Sequence, residues 1–182
     1  MKSNVFEIKI DEGLSLIIPT LYGAAEIFRL INEDRDHLRF WLPWVDSVTS
    51  EDETYQNLTD RVQGFHKKTQ AFFYGTLDGK FVASVGFISL NNNEGEIGYW
   101  LLSKYQGKGL MTLFVKACVK YGFNKLNLDK IIIKCAEGNH KSAAVPKRLG
   151  FVQVDTVESN RIRNSGEQDT LVFTLEIKNW SQ

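Results

Sequence analysis

The stretch Gln106-Gly107-Lys108-Gly109-Leu110-Met111-Thr112 is suited to hold an anion with backbone alone. It follows a strand-like run, Glu94 to Leu102, and opens a long apolar helix, Gly107 to about Asn124. The first N–H groups of such a helix lack internal partners and point outward together. With the helix dipole they favour a phosphate or pyrophosphate. Gly107 and Gly109 are expected to clear side chains from its approach. Two known phosphate loops fail here. The P-loop requires glycine where Leu102 stands and Ser or Thr where Gly109 stands, and the dinucleotide fingerprint requires glycine where Thr112 stands.

Other reactive side chains are sparse. His37, His66 and His140 are scattered, and Cys118 and Cys135 form no C-x-x-C, so no metal site is expected. The thiols read as reduced, buried apolar residues. Trp41, Trp44, Phe40 and Pro43 either wall an acceptor cleft or form a satellite cluster under a loop. Tyr74 and Phe87 face either the cleft or the core, because a period of two does not say which. Tyr99 reads as structural, and Glu51-Asp52-Glu53 as a solvated helix start. Lys+Arg and Asp+Glu are 22 each, so there is no basic excess for nucleic acid. The N-terminal residues carry charges where a secretion signal needs an apolar run, and no apolar stretch is long enough to span a bilayer. A cytoplasmic protein with no membrane partner is expected.

The elements that position these residues follow from periodicity. The 182 residues read as one domain, 1–182, large enough to bury ~70% of the extended chain's surface without a staple. Leu14 to Ile18 is a strand, and from Thr20, as N-cap, apolar residues keep helical spacing to Ile31. Ser50 with Glu53 forms a capping box opening a helix to about Lys68. Ala71–Leu77, Phe81 to Leu90 and Glu94 to Leu102 form an antiparallel meander, turned at Asp78-Gly79 and Asn91-Asn92-Asn93. Ile131-Ile132-Ile133 is a buried strand, parallel to the preceding one because a helix joins them. A short helix starts at Asn139, and strands Phe151 to Val157 and Thr170 to Ile177 close the sheet. Pro146 lies inside that short helix and cannot bond the Ser142 carbonyl, so either a kink frees this carbonyl for a purpose or the helix merely bends.

Gln106-Gly107-Lys108-Gly109-Leu110-Met111 resembles the [Gln/Arg]-x-x-Gly-x-[Gly/Ala] signature of the GNAT superfamily of acyl-CoA N-acyltransferases, except that Met111 replaces a small residue. Glu96-Ile97-Gly98-Tyr99-Trp100-Leu101 is similar to the strand before that signature. Asn139-His140-Lys141-Ser142 with Leu149-Gly150-Phe151 is similar to the element after it. The subgroup resembled is the RimJ/RimL type, which acetylates N-terminal amines of ribosomal proteins. The Trp41-Leu42-Pro43-Trp44 segment is similar to it as well.

The resemblance implies a mixed α/β (α+β) GNAT fold: a mostly antiparallel central sheet with a splayed parallel pair, flanked by helices. It implies acetyl-CoA as cosubstrate, with the backbone of Trp100, Leu101 and Leu102 holding the pantetheine and polarising the thioester. Gln106, Gly107, Lys108, Gly109, Leu110, Met111 and Thr112 would hold the pyrophosphate, and Asn139 would hold the cofactor arm. Glu96 is then the candidate base and Ser142 the candidate acid. Trp41, Trp44, Tyr74 and Phe87 are candidate acceptor-binding residues. Glu158 is a second candidate base, in a neighbourhood where Asn160 and Arg161 depart from the subgroup. Gly98 suits a bulge or a close backbone approach. The acceptor is expected to be a protein N-terminal α-amine. Alternatives are a small amine such as a polyamine or aminoglycoside, or a CoA-binding module with little catalysis. Self-association is left open. Acid groups converging on the cleft would favour a polyamine, and a broad aromatic groove a peptide. Arg161 and Arg163 are either solvated or suited to an acidic acceptor.

Overall fold

The computed structural model describes residues 6–18, 20–158 and 168–181. Eight strands form one sheet in the order β1-β2-β3-β4-β5-β6-β8-β7. They are β1 Glu7–Asp11, β2 Leu14–Ile17, β3 Ala71–Leu77, β4 Lys80–Asn91, β5 Glu94–Leu101, β6 Lys130–Ala136, β7 Val152–Val157 and β8 Thr170–Glu176. Every neighbouring pair is antiparallel except β5 with β6, which is parallel. The meander turns where the sequence places left-handed residues. Asp78 and Gly79 have φ of +50° and +74°, and Asn92 and Asn93 have +49° and +62°. Paired positive values are what a two-residue hairpin matching the strand twist requires.

Five helices cover the sheet: α1 Ala24–Glu33, α2 Arg35–Trp41, α3 Glu51–His66, α4 Leu110–Lys125 and α5 His140–Arg148. Helix α4 buries Phe114, Val115, Cys118 and Val119 against a main core that includes Phe73, Phe87, Ile133 and Phe173. Helices α1 to α3 form a smaller cluster on the other face, with Ile27, Ile31, Leu58 and Tyr74 at its centre. Ser50 caps α3 as a full capping box: its Oγ accepts the Glu53 N–H at 3.2 Å, and Glu53 Oε2 accepts the Ser50 N–H at 3.0 Å. Both cysteines are buried. Among the described residues no helix is long and apolar enough to cross a membrane.

Several expectations need correction. Strand β1 was not anticipated, because its Ile8 and Ile10 alternate with charges in only five residues. Thr20 makes no side-chain cap. A 3-10 turn, Leu21–Gly23, intervenes before α1 starts. The aromatic segment is a helix end, α2, followed by a 3-10 turn, Pro43–Ser47. Helix α4 starts at Leu110 rather than Gly107. Gly98 sits in unbroken register with Gly86, and the bulge lies on β4 instead, between Phe87 and Ser89.

Candidate active site

Strand β5 pairs with β6 only from Glu94↔Lys130 to Ile97↔Ile133. Beyond that point β5 stays with β4 as far as Leu101, while β6 stays with β8 as far as Ala136. The two parallel strands therefore part after Ile97 and Ile133, leaving a gap edged by backbone. The Leu102 N–H donates to the Val82 carbonyl at 3.0 Å. By the alternation of an antiparallel ladder, the Tyr99 and Leu101 N–H groups point into the gap. Of the three residues expected to meet the thioester, Leu101 is thus the one whose amide points into the gap.

The turn after β5 has the form required to hold a diphosphate. Gly107 and Gly109 have φ of +77° and +74°, values that strain any other residue. A Cβ on either would meet nothing within 4 Å. The glycines are needed for conformation rather than to relieve crowding inside the protein. No side chain caps α4. Leu110 and Met111 bury their side chains in the main core, so only their amides are available to a ligand, and Met111 fits by pointing inward. Lys104 and Lys108 place their Nζ atoms 5.5 and 5.7 Å from the Tyr105 ring centroid, beside the turn. Uncapped amides, two left-handed glycines, flanking ammonium groups and an open strand gap fit coenzyme A.

The Gln106 side chain serves as a strut. Its Nε2 lies 2.8 Å from His37 Nε2 on α2, and its Oε1 accepts from Lys141 Nζ on α5 at 3.0 Å. Asp34, between α1 and α2, accepts both the N–H and the Oγ–H of Ser103 at 2.6 Å. These ties hold the turn to the corner that also carries Trp44. Arg35 donates to the carbonyls of Val45 and Val48 and so fixes that corner's loop.

On α5, Asn139 is the N-cap, its Oδ1 accepting the Ser142 N–H at 3.1 Å. That leaves its amide NH2 as the group able to meet a cofactor. Pro146 offers no N–H to the Ser142 carbonyl. The Tyr99 hydroxyl donates to this carbonyl instead, at 2.9 Å, and lies 3.1 Å from Ser142 Oγ, which donates to it. Burial pushes the Tyr99 phenol up, so it stays protonated and able to donate. Tyr99 thus joins β5 to α5 and holds both polar groups of Ser142.

On the opposite face lies a pocket of about 260 Å³, lined among others by Ile31, Trp44, Leu58, Arg61, Tyr74 and Trp100. Tyr74, Ser84 and Trp100 form one row across β3, β4 and β5. Glu96 shares their face of β5 by its even spacing from Trp100. Its Oε2 is 2.8 Å from Lys134 Nζ. Burial raises the Tyr74 phenol, against the opposing pull of the Arg61 guanidinium beside it.

Two acceptor candidates are displaced from this pocket. Phe87 is fully buried in the main core, wedged where a Cβ on Gly95 or Gly122 would come within 2.5 Å of its ring. The register Ala71↔Phe87 puts it on the face opposite Tyr74. Trp41 stands edge-on to Phe40, with ring centroids 4.8 Å apart, and does not line the pocket. Glu158 follows the end of β7 and is exposed, while Asn160, Arg161 and Arg163 lie outside the described residues. Sequence reasoning missed Arg61. Its signal was a charge continuing the inward stripe of α3 set by Thr54 and Leu58. It also read Tyr99 as structural and overlooked Lys134.

The family model "Acetyltransferase (GNAT) domain" matches residues 14–152. The ribosomal-protein-serine acetyltransferase of Escherichia coli (strain K12) is 27% identical over 170 residues, covering 91% of this chain and 94% of that protein. The [ribosomal protein uS5]-alanine N-acetyltransferase of the same organism is 24% identical, covering 99% and 96%. Among solved structures, the RimL ribosomal L7/L12 α-N-protein acetyltransferase in complex with coenzyme A superposes with a TM-score of 0.91 at 20% identity, covering 96% of this chain and 99% of that one. The matched segment runs from the first residue of β2 to the first of β7 and takes in the gap, the turn and the pocket, so the chain belongs to the acetyltransferase (GNAT) domain family.

Proposed function

We propose that this enzyme transfers acetyl from acetyl-CoA to the N-terminal α-amine of a protein. The observation that carries the reading is the parting of β5 from β6. It lies beside an uncapped helix start at the end of β5 and a pocket on the sheet face opposite α4. The names of the ribosomal-protein relatives support the choice of acceptor. Acetyl-CoA supplies an acetyl group already activated as a thioester. Amides at the start of α4 and the nearby lysines bind its diphosphate. The Leu101 N–H, aimed into the gap, polarises a carbonyl as an oxyanion site does. Glu96, on the pocket face, takes the proton from the attacking amine at a carboxylate oxygen, directly or through water. Ser142 Oγ turns its hydrogen from the Tyr99 oxygen to the departing sulfur, protonates it, and is reprotonated from solvent. Among the described residues lining the pocket there is no carboxylate, which disfavours a polyamine.

The test is thiol release from acetyl-CoA, with mass spectrometry, on paired peptides whose α-amine is free or already blocked. Release with the free peptide only, and acetyl found on its first residue, is the expected result. Equal modification of lysine in the blocked peptide, or no release with any peptide, would refute the reading.

A further inference from the structure

The pocket beside Trp100 holds a cation without a carboxylate partner and an indole N–H without an acceptor among the described residues. Among the described residues Arg61 is the only charged side chain lining it, and no carboxylate forms an ion pair with it. Its guanidinium stacks 4.1 Å above the Phe72 ring centroid and reaches to 3.5 Å from Ser84 Oγ. A cation half-removed from water without a counter-charge is costly, and a carboxylate arriving with a ligand offsets that cost. The Trp100 indole N–H is buried and, among the described residues, has no partner, so it awaits an acceptor oxygen. Ser84 is in register with Trp100 on the neighbouring strand, and strands lie ~4.8 Å apart. Arg61 and Trp100 thus both flank Ser84 and line the same pocket.

We propose that the acceptor carries a carboxylate within two residues of its reactive amine, and that Arg61 binds it. The inference rests on the pocket being the acceptor site. The carboxylate comes either from an acidic side chain at the first or second position of a polypeptide or from the α-carboxylate of a small amino acid. Cationic acceptors meet Arg61 as a like charge and are poor substrates.

The test compares the peptides Ser-Asp-Ala-Ala and Ser-Asn-Ala-Ala, both amidated at the C-terminus, with free serine and spermidine as further acceptors. Wild type, Arg61→Gln and Arg61→Lys are assayed for thiol release, and peptide affinity is measured calorimetrically with coenzyme A present. In wild type, kcat/KM for the Asp peptide should exceed that for the Asn peptide at least about tenfold, the minimum a charge-assisted hydrogen bond gives. Arg61→Gln should bring the ratio close to one, and Arg61→Lys should keep part of it. A wild-type ratio under twofold, or one unchanged by Arg61→Gln, overturns the proposal. If Arg61→Gln fails to fold, the wild-type ratio and Arg61→Lys still decide. Free serine outpacing both peptides would identify a small acceptor and leave the role of Arg61 intact. Tighter, Arg61-dependent binding of the Asp peptide without thiol release would refute N-terminal acetylation but sustain the carboxylate site. Thiol release without acid preference would do the reverse, and neither binding nor release overturns both.

Discussion

Tyr99→Phe removes one oxygen and keeps the ring. In wild type that oxygen donates to the Ser142 carbonyl at 2.9 Å and lies 3.1 Å from Ser142 Oγ. Because Pro146 has no N–H, the helix offers the carbonyl no donor four residues on. Leaving a half-buried carbonyl unanswered costs ~1–2 kcal/mol, the lower part of the range for a lost hydrogen-bond partner. For a chain of this size that lowers Tm by about 2–8 °C. Ser142 Oγ also loses its anchor, so kcat should fall more than KM for acetyl-CoA rises. Two measurements test the reasoning: thermal unfolding, and initial rates of thiol release with acetyl-CoA varied. Adding Pro146→Ala restores an N–H able to bond the Ser142 carbonyl, so the double variant should regain much of the lost Tm but not the lost kcat. Because Tyr99 and Ser142 touch, Tyr99→Phe in a Ser142→Ala background should cost less in kcat than it does alone. An unchanged Tm and kcat in Tyr99→Phe, or additive losses in that pair, would refute the account.

Gly109→Asp places a negative charge where the diphosphate binds and puts a side chain on a left-handed backbone position, so KM for acetyl-CoA should rise more than about tenfold. Unchanged steady-state KM would contradict the site. Glu96→Gln should lower kcat by about a hundredfold or more, the low end for a lost general base, with KM for acetyl-CoA little affected. If Glu158→Gln slows thiol release and Glu96→Gln does not, the base is misassigned. Ser50→Ala breaks the capping box and should cost ~1 kcal/mol, read as a Tm about 2–4 °C lower, with turnover unaffected. Hydrogen bonds from the Thr49 N–H, then its hydroxyl, then Ser50, hold the Glu53 carboxyl below its usual range. A carboxyl lowered on folding stabilises above its unfolded pKa and loses that contribution as pH falls through the folded value. The Tm gap between wild type and Glu53→Gln should therefore be widest near neutrality and close below about pH 4. A gap that is constant with pH would exclude this origin.

Signals written in short segments were legible beforehand. Asp78-Gly79, the asparagine turn, the Ser50–Glu53 box and the Asn139 cap are each decided by a few neighbouring residues, and the structure has each one. So was the parallel pairing of β5 with β6, because a helix must cross between them. Facing was not legible. Phe87 and Tyr74 each suit either side of a strand, and only the register Ala71↔Phe87 sends them to opposite faces. Contacts between distant segments were hidden as well. Tyr99 meets Ser142 across 43 positions, and Gln106 meets His37 across 69. The freed Ser142 carbonyl could be read from Pro146, but not the residue that takes it up. Met111 showed as a departure from the family pattern, although its side chain simply turns into the core.

The bonds from Asp34 to Ser103, and the link from His37 to Gln106, join the turn before α4 to the corner bearing Trp44. On the proposed reading, whatever stiffness a bound diphosphate brings to that turn is shared with the acceptor's wall. Thermodynamic linkage makes the effect mutual: an acceptor that orders the corner strengthens coenzyme affinity by the same factor as the coenzyme strengthens acceptor affinity. Cutting the Asp34 tether would weaken the coupling of the two equilibria, and cutting the His37 link as well would remove the rest.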